Sequence, residues 1–145
     1  MRRVNPCIPV SLLILVAAVG CGGKSYAPSL QLADFNLGEV LDGHLRRVEQ
    51  SMSRVRGLDS AEAAAQEIHY VNQDLADLVY NAPRLSGAGQ AELAKLAAGH
   101  LGRMQRLSSE VNESPALAEI LGPELEQTVV YLQVMASGRY EDAPS

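Results

Sequence analysis

The sequence predicts an all-α fold, a four-helix up-down-up-down bundle behind a cleaved signal peptide and a short tether. Three observations lead there. Three stretches of about 20 residues carry apolar side chains at alternating three- and four-residue steps, the period of one helix face, and a fourth is apolar nearly all round. Each stretch is bounded by capping or breaking residues. Aromatics make up only 4% of the chain, with no Trp and one Phe, so the core must come from Leu, Val, Ile, Ala and Met. Such a core suits interlocking helices better than a β-sandwich.

At the amino terminus, Arg2 and Arg3 precede an uncharged apolar run from Ile8 to Val19, which Gly20, Cys21, Gly22 and Gly23 break. Twelve residues make roughly 18 Å of helix, too short for a hydrocarbon layer of about 30 Å. Residues 1–20 are therefore expected to be a signal peptide rather than a permanent span. The junction Ala18-Val19-Gly20-Cys21 resembles the lipobox of bacterial lipoproteins, with Ala18 standing where that family usually has leucine. The resemblance implies a diacylglycerol on the Cys21 sulfur and cleavage just before it. With Gly22 rather than aspartate next, it implies transport to the outer membrane where the organism has one. Cys7 falls in the removed segment, so Cys21 is the lone thiol of the mature chain. Residues 21–29 are expected as the lipidated cysteine and a flexible tether, residues 30–138 as the bundle domain, and residues 139–145 as a polar tail.

The first helix is expected from Leu37 to Arg56, with Asn36 and Glu39 at capping-box spacing and a stripe of Leu37, Leu41, Leu45, Val48, Met52 and Val55. Leu30, Leu32 and Phe35 precede it as an extra turn or a strap over the bundle end. The second helix is expected from Ser60 to Tyr80, capped by Asp59 and Glu62, with Ala61, Ala64, Ile68, Val71, Leu75 and Leu78 on its stripe. Ser86-Gly87-Ala88-Gly89 is expected as a loop before a third helix from Gln90 to Asn112, whose row is Leu93, Ala97, His100, Met104, Leu107 and Val111. The fourth is expected from Pro115 to Ser137, split at Gly122-Pro123 and ended by Gly138. Short connections favour antiparallel neighbours.

The mature chain keeps 10 of the 12 basic residues, having lost Arg2 and Arg3, against 17 acidic ones, a charge of −7. That disfavours nucleic-acid binding, which needs a basic surface, and disfavours lying flat on anionic lipid. No nucleophile elbow, His-Glu-x-x-His or phosphate-binding glycine loop is present, so no enzyme is expected. The ligand candidates are His44, His69 and His100 on three helices, with Met104 as a possible thioether. A haem or transition-metal bundle is thus the alternative to a module with no cofactor. His100 is the strongest of these, since it sits on an apolar row between Gly99 and Gly102, which permit close approach of a helix or a flat cofactor. The expected function is a lipid-anchored, non-enzymatic envelope module. It would reach the membrane through Cys21 and a protein partner, or a second copy of itself, through the fourth helix.

Overall fold

The computed structural model describes residues 24–144; residues 1–20, expected as a signal peptide, and Cys21, Gly22 and Gly23 lie outside the described residues. Four helices pack against one another as an all-α bundle. They are α1 (Leu37–Ser53), α2 (Leu58–Asn81), α3 (Gly87–Asn112) and α4 (Pro115–Ser137). A minimal antiparallel pair precedes them, β1 (Gln31–Leu32) and β2 (Phe35–Asn36), with Gln31 opposite Asn36 and Leu32 opposite Phe35.

Side-chain pairs across the seams give the direction of each helix. His44 meets Asp74 whereas Arg47 reaches back to Glu67, so α1 and α2 are antiparallel. Asp42 meets His100 and Glu49 meets Arg103, so α1 and α3 run parallel. Gly122 lies against Asn112, across the tight turn from α3 into α4, so those two are antiparallel. The directions alternate as expected. The spatial order does not follow the chain, however. The main seams are α3–α4, α2–α4 and α1–α2, with a lesser α1–α3 seam. The order around the bundle is therefore α1-α2-α4-α3, and the α2–α3 connection crosses a diagonal. The starts of α1 and α3 and the ends of α2 and α4 share one end of the bundle.

Each apolar stripe goes where its period sends it. Leu41, Leu45, Val48, Ile68, Val71, Leu75, Leu93, Ala97 and Met104 are completely buried. The Asn36 side chain accepts from the backbone N–H of Gly38 at 3.0 Å and Glu39 at 3.3 Å, the cap its position predicts.

Several expectations are corrected. At the start of α2, Ser60 Oγ, rather than Asp59, accepts from the backbone N–H of Arg56 at 2.8 Å and Gly57 at 3.0 Å. Ser86-Gly87-Ala88-Gly89 is not a loop: Ser86 Oγ accepts from Gly89 N and α3 begins at Gly87. Helix α4 is continuous through Gly122-Pro123. A proline inside a helix costs about 3 kcal/mol. Leu121 and Leu125 on either side are fully buried, and burial of each contributes about 2 kcal/mol. Pro123 and Glu119, whose carbonyl loses its partner, both face water. The apolar α4 packs against two neighbours, α2 and α3, and the strap packs on α3.

Candidate functional site

Residues 24–36 form a strap that is docked on the bundle, unlike the flexible tether expected through residue 29. Pro28–Leu30 makes one 3₁₀ turn, and Leu30 is buried in the core. Two glycines let the strap in. A Cβ on Gly89 would collide with the backbone carbonyl oxygen of Ser29. One on Gly38 would sit 2.8–2.9 Å from side-chain carbons of Leu30, Leu96 and Tyr26. Asn36 Nδ2 donates to the Ala27 carbonyl at 3.3 Å, tying the start of the strap to its end.

The strap's polar fastening is Asp42 on α1, which is buried. Its Oδ2 accepts from the Tyr26 hydroxyl at 2.6 Å and Lys24 Nζ at 3.2 Å, and its Oδ1 accepts from His100 Nε2 at 2.6 Å. Burial pushes the Asp42 carboxyl up, but the hydrogen bonds from Tyr26, His100 and Lys24 together outweigh it and hold the group below the usual carboxylate range. An ionised carboxylate only accepts, so His100 Nε2 carries the proton. Burial, and then the hydrogen bond to Asp42, push the Tyr26 phenol up to about 12.

A second polar node joins α2 to α4. The buried Asn72 donates through Nδ2 to the Glu124 carbonyl at 2.9 Å and to Glu124 Oε2 at 3.0 Å, and its Oδ1 accepts from the Thr128 hydroxyl at 2.7 Å. His69 Nδ1 lies 3.2 Å from Glu124 Oε1 at the exposed edge of this node. On the α1–α2 seam, Arg47 bonds Glu67 at 2.7 Å and Asp74 at 3.3 Å. His44 Nδ1 lies 3.5 Å from Asp74 without hydrogen-bond geometry and is otherwise unpartnered. Burial pushes the His44 imidazole down, against the pull of Asp74.

The three histidines thus face three different carboxylates on three different seams. No group of three or more His, Cys, Asp and Glu suited to a metal ion occurs among the described residues. Met104 is fully buried among apolar side chains. Gly99 and Gly102, expected to admit a helix or a flat cofactor, face outward, and a Cβ added at either would meet nothing within 4 Å. Asp42 and His100 make the kind of carboxylate–imidazole pair that serves as a general base elsewhere. Here no serine, threonine or cysteine is bonded to the imidazole among the described residues, and the other carboxylate oxygen is closed by Tyr26 and Lys24. What this arrangement does chemically is hold: it fastens the strap to the bundle.

Reasoning from sequence overlooks Asp42, Tyr26, Asn72 and Thr128. A signal for Asp42 exists, since it lies between Leu41 and Leu45 on the inner side of α1, where a charge needs a buried partner. No family model, curated protein or solved structure matches this chain.

Proposed function

We propose that the protein is a lipid-anchored, non-enzymatic helical module of the bacterial cell envelope, facing the periplasm and acting through protein–protein contact or as a structural accessory. The observation that carries this is the Val19-Gly20-Cys21 junction. It follows an apolar run too short to span a membrane and places the only mature thiol at the cleavage point. The docked strap is consistent with such a role, because it leaves only Gly22 and Gly23 between an acyl-bearing Cys21 and residues held against the bundle. The absence of catalytic motifs in the sequence supports a binding or scaffolding role over turnover.

Mass spectrometry of the mature amino terminus tests the anchor: a diacylglyceryl-modified Cys21 is expected, and an unmodified cysteine overturns it. Crosslinking in intact cells tests the mode of action. A specific partner or self-contact is expected, and its absence under several crosslinking chemistries counts against the role.

A further inference from the structure

We infer that the strap end of the bundle is a membrane-contacting face, with Phe35 seated at the boundary between headgroups and acyl chains of the bilayer that holds Cys21. The inference rests on the lipid-anchor reading and adds an orientation to it.

The reach of the anchor comes first. Lys24 and Tyr26 are both bonded to Asp42, and Ala27 is bonded to Asn36. Three residues of chain span at most about 10 Å, so an acylated Cys21 stays within about 10 Å of Lys24. Asp42 lies five residues, about 8 Å, from the start of α1 and eleven residues, about 17 Å, from its end. An anchor on so short a lead therefore lies closer to the strap end than to the opposite end, where Leu58 begins α2.

The surface at that end comes second. The single Phe of the chain, Phe35, is 65% exposed on the strap, one residue from the Asn36–Ala27 bond. Tyr80, 80% exposed, lies one residue before the end of α2, at the same end of the bundle. Aromatic side chains with one apolar body and, for Tyr, a polar tip are the ones that concentrate at membrane interfaces. Beside Phe35 an open groove of about 660 Å³ continues the apolar surface over Leu32, Leu37, Val40 and Leu78. The hairpin that presents Phe35 turns through Ala33 at φ 52°, a left-handed conformation unfavourable for a non-glycine residue. Asp34, Glu39, Asp74 and Asp77 outnumber Arg47 and Arg84 around this surface, so the bilayer it suits is zwitterionic rather than strongly anionic.

Because the chain has no Trp, Phe35→Trp and Leu58→Trp each introduce a single reporter, at opposite ends of the bundle. The mature protein is coupled through Cys21 to a maleimide-bearing lipid in phosphatidylcholine vesicles brominated near the top of the acyl chains. The expected result is a blue shift and at least twofold quenching for Phe35→Trp, and neither for Leu58→Trp. Adding Asp42→Ala, which frees the strap, should bring the two reporters to the same weak quenching. Equal quenching of the two reporters without Asp42→Ala overturns the proposal and leaves the face available to a protein. The coupling is chemical, so this outcome is independent of whether Cys21 is lipidated in the cell, which mass spectrometry decides.

Discussion

The two buried polar nodes use different chemistry for different tasks. The buried Asn72 and Thr128 join α2 to α4 with neutral amide and hydroxyl groups, the Glu124 carboxylate standing at the node's edge, inside elements that apolar burial already holds together. Asp42 joins the bundle to a strap that adds a single fully buried apolar residue, Leu30, and it does so with a charge. A buried carboxylate is costly unless every oxygen is satisfied, and here Tyr26, His100 and Lys24 satisfy it. The difference implies that the bundle is built to be permanent, while the strap is held by a bond that depends on ionisation.

The largest expected effect comes from breaking that bond. Asp42→Ala leaves the Tyr26 hydroxyl and His100 without their acceptor, and each buried donor left unsatisfied costs about 1–3 kcal/mol. Thermal unfolding followed by circular dichroism should show the loss, and NMR should place it first at Leu30. The same contrast can be read through pH. Asp42 titrates below the ordinary carboxylate value of 3.8, so its contribution is present above that pH and lost as pH falls through the lower folded value. Tyr26 is raised from 10.0 to about 12, so its contribution is present below pH 10 and lost as pH rises through about 12. Strap resonances should therefore respond at both extremes. A strap that keeps its native shifts through both ranges would mean that Asp42 is not its fastening.

Effects of intermediate size test whether each node stands alone. Thr128→Val keeps the shape but leaves Asn72 Oδ1 unsatisfied, at about 1–3 kcal/mol. It should lower the unfolding midpoint without disturbing the strap. Gly89→Ala should do the reverse. Its methyl meets the Ser29 backbone, which cannot turn aside as a side-chain tip can, so the strap must lift, at about 1–3 kcal/mol. Amide exchange should then quicken at residues 26–32 while α2 and α4 stay protected. Equal quickening throughout would show that the two nodes are one cooperative unit.

The stripes are legible in the sequence because a stripe is local. Ala61, Ala64, Ile68, Val71, Leu75 and Leu78 declare their face through spacing alone, and all six are buried. The strap's fastening is not legible, because its meaning lies far along the chain: Tyr26 is 16 positions from Asp42 and His100 is 58. His100 stands out on its apolar row, yet nothing local names Asp42 as its partner. Pro123 misleads for the opposite reason. A local rule ends the helix there, but Leu121 and Leu125 keep it intact through contacts the rule does not see.

The smallest expected effect separates glycines that the strap needs from glycines it does not. Gly38 and Gly89 are pressed against the strap, whereas a Cβ on Gly99 or Gly102 meets nothing within 4 Å. Both of the latter are exposed in the interior of α3, where glycine is less favourable than alanine by about 1 kcal/mol. Gly99→Ala and Gly102→Ala should each raise the denaturant midpoint, and with an unchanged slope the midpoint shift multiplied by that slope should come to about that energy. If either lowers it, then the outer face of α3 is covered by something in the folded protein, and the partner surface belongs there rather than at the strap end.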